Sequence, residues 1–487
     1  MFNESMMAKL AKLREAGKDV YPPRVPKPTS EAETVKANFE KFENQTVTIA
    51  GRITAQRGHG KAMFLVVADD TGPIQLYVRV DDVGEEIYGL IRDALDVGDL
   101  VVVTGSVFKT RTGEVTIHTK EFMWATKALE GLPEKWHGLK DSEIRYRKRH
   151  LDMIANSEVR ERFSKRTRII RAIREFLWNE GFEEVETPTL QPLYGGALAK
   201  PFMTHHNALD MDLYLRIAPE LYLKRLIVGG MPKVFEIGKA FRNEGISLVH
   251  NPEFTIMELY QAWADYHDMM DITERMISSV AKTITGSFVI NFQGGEIDLT
   301  PPWKRLTMAE AFKEYAGVEI EKLRDAKFAF AFLQENGVKM EKKPGFGGFC
   351  DETLKKLVEP KIKNPTFIYN YPIELSPLAK LIPGETMWVE RFQPVIAGYE
   401  VGNAFSELND PQDQLNRFEG QEKARSSGDE EAHQTDTDFV ETLAVGMPPT
   451  GGLGIGIDRI VMLLTDQVSI REVLAFPQLR RQSGDIS

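Results

Sequence analysis

Phe235-Glu-Ile-Gly-Lys-Ala-Phe-Arg-Asn-Glu-Gly-Ile-Ser-Leu-Val-His-Asn-Pro-Glu-Phe-Thr-Ile-Met-Glu-Leu-Tyr260 is the stretch on which the fold turns. Two alternating apolar segments, Val234–Phe241 and Phe254–Trp263, flank a short polar loop around Gly245. The connection is too short for a helical crossover, so the two segments are expected to pair as antiparallel strands. The loop carries Arg242, Glu244, His250, Asn251 and Glu253 beside Phe254. An arginine presents a planar fork that suits phosphate oxygens, and a phenylalanine offers a flat face to a purine. An ordinary polar hairpin would hold the same residues, so this loop alone leaves both readings open.

The second strand extends the argument. By period two, Glu258 and Tyr260 share a face with Phe254 and Ile256. A carboxylate on the core side of a strand must be paired or functional. Near the C-terminus, Tyr399-Glu-Val-Gly-Asn-Ala-Phe-Ser-Glu407 repeats the theme. Asn403, Phe405 and Glu407 fall on one face, and simple alternation puts Glu400 on the other. Two acidic, aromatic-lined faces, together with Glu220 in Ala218-Pro-Glu, suit a cationic ligand. Gly451-Gly-Leu-Gly-Ile-Gly-Ile-Asp-Arg-Ile-Val-Met-Leu-Leu464 follows. Alternating glycines allow another backbone or a ligand to approach closely. Asp458 and Arg459 then open an apolar helix whose start favours anionic phosphate. The stretch lacks the Gly-Lys-Ser/Thr of a P-loop and the following βαβ unit of a dinucleotide fold.

Outside these stretches the chain divides by pattern. A helix is expected from about Glu4 to Ala16, then a Pro-rich linker, Tyr21–Pro28, within a leading segment of residues 1–44. From about Thr46 to Ala125 the apolar period is two, with a helix at about Glu85–Leu95 and a hairpin turn at Thr110–Gly113. Four or five short strands with one helix fit a β-barrel of oligonucleotide-binding (OB) type over residues 45–135, or a small sandwich. Arg145-Tyr-Arg-Lys-Arg-His150 lies in an expected hinge, 136–155, and reads either as a strap facing a nucleic acid or as a solvated connection. Residues 156–487 are then an α+β domain on an antiparallel sheet. It opens with a long helix from about Ser157 to Glu180, capped at Gly181, and carries a charged helical insertion at about 306–358.

Composition narrows the function classes. Hydrophobic residues are 42% and charged residues 27%, which excludes a mainly disordered or collagen-like chain. The net charge is −11, so no global attraction to nucleic acid exists. Residues 1–150 hold 23 basic and 22 acidic side chains against 38 and 50 in the rest, which makes the first third the less repulsive place for a polyanion. The single cysteine, Cys350, cannot form an internal disulfide, and no apolar run approaches a membrane span. The opening residues lack the apolar core of a signal peptide. A cytoplasmic location without membrane attachment is expected.

Together the stretches resemble a known family. Gly181-Phe-Glu-Glu-Val-Glu-Thr-Pro-Thr-Leu190, the Arg242 loop, and Gly454-Ile-Gly-Ile-Asp-Arg459 are similar to motifs 1, 2 and 3 of class II aminoacyl-tRNA synthetases, in that order. Within that class the chain resembles the lysyl-tRNA synthetase family. The strings that carry this are Tyr194-Gly-Gly-Ala197, Thr204-His-His-Asn-Ala-Leu209, Arg216-Ile-Ala-Pro-Glu-Leu-Tyr-Leu-Lys-Arg225, Ser376-Pro-Leu-Ala-Lys380 and Glu400 to Pro411. The likeness covers about residues 45 to 480.

The resemblance implies activation of L-lysine with Mg-ATP, transfer to the 3′ end of tRNA(Lys), and a homodimer formed through the motif 1 region. It implies that Arg242 and Arg459 are catalytic. Glu244, His250, Asn251, Phe254 and Glu400 would bind ATP with them. Gly196, Glu220, Arg242, Glu258, Tyr260, Asn403, Phe405 and Glu407 would hold lysine. In the β-domain, Arg57, Phe64, Gln75 and Glu114 would meet the anticodon; the alternative for Phe64 is a place in the barrel core. One departure stands out. The family carries a glutamate where this chain has Gln393, in Arg391-Phe-Gln-Pro394. That position and Glu400 normally ligate Mg²⁺. A glutamine offers a carbonyl oxygen but no charge, so Glu400 is the expected ligand and Gln393 the weaker one. An aspartate- or asparagine-specific relative would need basic residues in the pocket, and Glu258 and Glu407 oppose it. A ligase acting on a protein would lack the β-domain. A silent RNA-binding paralogue would rest on Gln393 alone.

Overall fold

In the computed structural model, residues 2–58, 60–132, 141–197, 199–340, 345–426 and 435–480 are described. The chain forms two compact units, Met1–Lys140 and Asp141–Ser487.

The first unit is built on a closed barrel. Its strands are β1 (Thr46–Arg57), β2 (Ala62–Ala68), β3 (Pro73–Arg79), β4 (Leu100–Lys109) and β5 (Val115–Thr126), in the order β1-β2-β3-β5-β4 with β1 pairing β4. Period-two alternation turns Val47, Ile49, Leu65, Val67, Leu76, Val78, Val103 and Ile117 inward, and all are buried. The helices Glu4–Glu15 and Glu85–Ala94 add Leu10, Leu13 and Ile91 to that core. Two short helices, Ala32–Ala37 and Phe39–Phe42, follow the Pro-rich linker.

In the second unit, β6 (Glu183–Glu184) leads. A small three-stranded sheet follows, from β7 (Leu190–Gln191), β8 (Phe202–His206) and β9 (Met211–Leu215). Then come β10 (Lys233–Phe241), β11 (Glu253–Ala262), the two-stranded β12 (Val289–Phe292) and β13 (Gly295–Asp298), and β14 (Lys304–Thr307). The last strands are β15 (Thr366–Pro372), β16 (Trp388–Ile396), β17 (Tyr399–Glu400), β18 (Gly402–Ser406) and β19 (Thr450–Gly456). The main sheet runs β14-β15-β16-β18-β19-β11-β10-β6. Its central pairs are antiparallel, and only β14–β15 and β10–β6 at its ends are parallel. The hairpin expected from the opening stretch is β10–β11, paired from Lys233 with Gln261 to Phe241 with Glu253.

One face of this sheet packs on the helices Ser157–Asn179, Tyr266–Thr285 and Ile457–Leu464, through Ile173, Met269, Met276, Val461 and the strand residues Phe235, Met257 and Leu453. Gly181 takes positive φ just beyond the first of these helices, as its capping position requires. Asp265 and Asp268 form a capping box at the start of the second. The other face carries the helix Glu220–Val228, the helical insertion and an open cavity.

Two expectations change. The hinge placed at 136–155 is helical over its described part, in Ser142–Arg147 and Arg149–Ala155, and belongs to the second unit; its residues 136–140 lie outside the described ones. Two of its basic residues are held inside the unit, whereas Lys148 and His150 are exposed. Arg149 is fully buried, donating to Asp152 and to the carbonyls of Arg471, Leu474 and Ala475. Arg145 reaches Asp152 and Glu472, at 3.0 and 3.2 Å. A charge run on a short segment looks like a solvated connection, whereas Arg145 and Arg149 combine the nearby Asp152 with partners over 300 residues away. The insertion begins after β14, at Met308, and its helices run to Lys361.

Candidate active site

Every residue expected at the site lines one cavity of about 730 Å³ on the open face of the main sheet. Register explains how. Glu258 on β11 sits opposite Gly454 on β19, which sits opposite Asn403 on β18. Two residues along, Tyr260, Gly452 and Phe405 form a second row. In both rows the middle strand contributes a glycine, which leaves room for the side chains beside it. A methyl group on Gly452 would lie 1.9 Å from Glu407 Oε1 and 2.6 Å from the Tyr260 ring. On Gly196, which has positive φ, it would lie 2.9 Å from the Glu220 Cβ.

Glu400 corrects the alternation argument. It lines the same cavity as Asn403, Phe405 and Glu407. Two short strands meet here, β17 ending at Glu400 and β18 beginning at Gly402, so Val401 breaks the regular pleat and resets the parity.

The cavity has two ends of different chemistry. At one end, Glu220, Glu258 and Glu407 are all buried beside Tyr260 and Phe405. The Tyr260 hydroxyl donates to Glu258 at 3.1 Å. Burial, aided by the charge of Glu220, pushes the Glu258 carboxyl up to about 8. Asn403 accepts a hydrogen bond from Arg391 at 2.7 Å. At the other end the groups are basic and aromatic. The Arg242 guanidinium lies 5.1 Å from the Phe254 ring centre. Its Nε is buried without a hydrogen-bond partner among the described residues. Burial lowers its pKa, and the carboxylates of Glu244, Glu258 and Glu400 oppose that. Arg459 donates to the Glu400 carbonyl, and its Nη2 lies 3.4 Å from His250 Nε2. Burial and the Arg459 charge depress the His250 pKa, which favours the neutral imidazole. Asn251 lines the cavity, but its amide is engaged with the backbone of Glu253 and Gln478.

The same wall holds Gln393, whose Oε1 accepts from the Tyr371 hydroxyl at 2.7 Å. Glu359 was missed in the sequence. It is buried, its Oε1 has no hydrogen-bond partner among the described residues, and it faces the cavity with Glu400. The turn Ala397–Gly398 brings them near each other, since a Cβ on Gly398 would lie 3.6 Å from the Glu359 carbonyl oxygen. Among the described residues, no group of three or more His, Cys, Asp or Glu is spaced to hold a metal. Lys224 was also missed. It is fully buried behind the carboxylates, with its Nζ 2.6 Å from Glu220 Oε1 and ion-paired with Glu407. Its signal was the Glu220–Lys224 spacing of four on a helix.

In the first unit, Arg57 pairs with Phe64 across β1–β2, and Phe64 with Tyr77 across β2–β3. Phe64 is exposed, not in the core, and its ring lies 4.9 Å from that of Tyr77. Phe108 and His118 extend this aromatic patch. Gln75 lies nearby on β3 and donates to Thr116 at 3.1 Å, while Glu114 is exposed in the turn just before β5.

The family described as "tRNA synthetases class II (D, K and N)" matches residues 141–480, and an OB-fold nucleic acid binding domain matches 47–124. The chain belongs to the class II tRNA synthetase family. It is 54% identical to the lysine–tRNA ligase of Pelotomaculum thermopropionicum, over 97% of this chain and 93% of that protein. The lysine–tRNA ligases of Carboxydothermus hydrogenoformans and Clostridium botulinum are 53% and 52% identical, over 97% and 99% of this chain and 97% of each relative. This class is ATP-dependent. The α+β architecture of an OB barrel followed by an antiparallel catalytic sheet agrees with both family matches. Among the described residues no helix is long and apolar enough to cross a membrane.

Proposed function

We infer that this chain is a lysine–tRNA ligase, which forms lysyl-adenylate from L-lysine and ATP and then passes the lysyl group to the 3′-terminal adenosine of tRNA(Lys). The observation that carries the reading is the cavity with buried carboxylates at one end and arginines at the other. An aspartate- or asparagine-specific pocket would not present two carboxylates, Glu258 and Glu407, to the ligand's side chain.

In this reading, Glu220 and Gly196 receive the α-ammonium. Glu258, Tyr260 and Glu407 receive the ε-ammonium, against the Phe405 ring. An arriving cation would draw Glu258 back to its charged form. Asn403 completes the pocket from β18. Arg242 would hold the lysine carboxylate beside the α-phosphate. One carboxylate oxygen forms a bond to the α-phosphorus, and the bond to the pyrophosphate oxygen breaks. The charge that develops is offset by Arg242, while Arg459 meets the departing phosphates with neutral His250 beside it. Phe254 and Arg459 would sandwich the adenine, and Glu244 and Asn251 would border it. No covalent enzyme intermediate is needed, so catalysis is positioning and electrostatics.

The residues fit a magnesium ion brought with ATP. Glu400 would hold it, and Glu359, with its unpartnered oxygen, is the second carboxylate on that wall. Gln393 contributes less, because its carbonyl oxygen already serves Tyr371. When bound, the ion would neutralise charge on the triphosphate. The aromatic patch around Phe64 supports anticodon reading by stacking, with Arg57, Gln75 and Glu114 at its border. A homodimer is proposed through residues 181–190. In support, β6 is an edge strand and Trp178 and Leu190 are exposed. A cytoplasmic location completes the reading.

The test is amino-acid-dependent ATP–pyrophosphate exchange with lysine, ornithine, asparagine and aspartate across a magnesium titration. Exchange with lysine alone is expected. Exchange with aspartate or asparagine, or none with any of the four, overturns the reading.

A further inference from the structure

A lysine side chain is buried in the wall of the proposed lysine site. Lys224 lies one helical turn after Glu220, with its side chain wholly shielded from solvent. It does not line the cavity. Its Nζ donates to Glu220 Oε1 at 2.6 Å and pairs with Glu407 Oε2. The rings of Phe405 and Phe439 lie 5.6 and 5.9 Å from it. Apart from Lys224, neither Glu407 oxygen has a hydrogen-bond partner among the described residues. One ammonium therefore joins a carboxylate on the helix to a carboxylate at the end of β18. These two would bind opposite ends of the ligand.

The charge count gives this contact a purpose. With the ligand bound and Glu258 ionised, Glu220, Glu258 and Glu407 bring three negative charges to a dry end of the cavity, where uncompensated charge is costly. The internal ammonium cancels one. Two remain, equal to the two ammonium groups of free lysine. Burial alone would make Lys224 give up its proton, but the charges of Glu220 and Glu407 outweigh it and hold the ammonium form.

We propose that Lys224 is a positioning residue of the amino-acid site, a fixed internal cation that spaces Glu220 and Glu407 apart for lysine and trims the pocket's charge to that of a dication. It touches no substrate and acts through the two carboxylates. The proposal rests on the lysine reading of the site; exchange by the unaltered chain tests that reading first, and the variants are scored only against it.

Lys224→Met keeps length and apolar bulk and removes the charge. In exchange assays its KM for lysine is expected to rise at least tenfold, with the KM for ATP within twofold of the parent. The preference for lysine over the shorter dication ornithine is expected to fall, because Glu407 is no longer held at a fixed distance from Glu220. Lys224→Arg, which keeps the charge, should recover part of that preference. A purely structural role would move both KM values, or stability alone, and would leave the lysine-to-ornithine ratio unchanged. If Lys224→Met does not fold, Lys224→Gln retains a donor to Glu220 without the charge and gives the same readings. An unchanged ratio in the folded variants, or equal increases in both KM values, overturns the proposal.

Discussion

Gly452→Ala places a methyl group where the structure already has a carboxylate. The added Cβ would lie 1.9 Å from Glu407 Oε1 and 2.6 Å from the Tyr260 ring. Non-bonded atoms settle near 3.5 Å, so the Glu407 oxygen must retreat by about 1.5 Å. Neither neighbour can move freely, because Glu407 is tied to Lys224 and Tyr260 to Glu258. Overpacking of this kind costs about 1–3 kcal/mol of stability. The functional loss has a separate origin. In the proposed pocket, displacing Glu407 would remove a charged hydrogen bond to the ε-ammonium, worth about 1.5–3 kcal/mol. That corresponds to a rise in lysine KM of roughly 10- to 150-fold. The KM for ATP should hold, because the arginine end of the cavity is untouched. The control is Gly454→Ala on the same strand, where the new methyl would meet Glu258 Cγ at 3.6 Å and the Asn403 carbonyl at 3.7 Å, ordinary contact distances. Its ligand-free unfolding midpoint should match or exceed the parent's. Pyrophosphate exchange with varied lysine and ATP, beside thermal unfolding of both variants, reads all of this. A Gly452→Ala enzyme with normal lysine KM would refute the packing argument, as would equal destabilisation by the two substitutions.

Two further outcomes follow from the same geometry. Burial and the charge of Glu400 hold the Glu359 carboxyl at about 7, above its ordinary 4.5. The folded protein thus keeps a proton that the unfolded chain has released, so this group's contribution falls as pH rises from about 4.5 to 7 and stays lost above. Glu359→Gln should stabilise the ligand-free protein at pH 8, by on the order of 3 kcal/mol, and do so less and less toward pH 5; an equal gain at both pH values contradicts the assignment. In the barrel unit, Phe64→Ala removes an exposed ring that would stack on a base, an interaction of about 1–3 kcal/mol. Its KM for tRNA in aminoacylation should rise roughly 5- to 150-fold, with exchange measured without tRNA as the internal reference, and a tRNA KM within twofold of the parent counts against the stacking role.

Much of the fold was legible because its signals are local. The β10–β11 hairpin announces itself through alternation and a short loop, and the helix ending before Gly181 through a 3.6-residue period and a cap. The open face of β11 was also legible, since Phe254, Ile256, Glu258 and Tyr260 need only parity to share a side. Parity failed at Glu400, because one irregular residue, Val401, shifts the pleat without leaving a mark in composition. Lys224 and Glu359 escaped for a different reason. Each is a charged residue in a helical segment, the ordinary pattern of a solvated face, and only the distant β18 and the Ala397–Gly398 turn reveal them as buried. Arg149 misled in the same way, because beyond Asp152 its partners are the backbone carbonyls of Arg471, Leu474 and Ala475, which no sequence pattern advertises.

That last contact sets an order of events during synthesis. The guanidinium of Arg149 is desolvated at the start of the second unit, yet three of its acceptors are carbonyls at Arg471, Leu474 and Ala475. A nascent chain stalled short of those positions offers this cation only Asp152 and lacks the three carbonyls. The leading helices of the unit therefore gain this anchor only after residues 471–475 have been made. A chain released before that point would leave part of the Arg149 guanidinium without its acceptors.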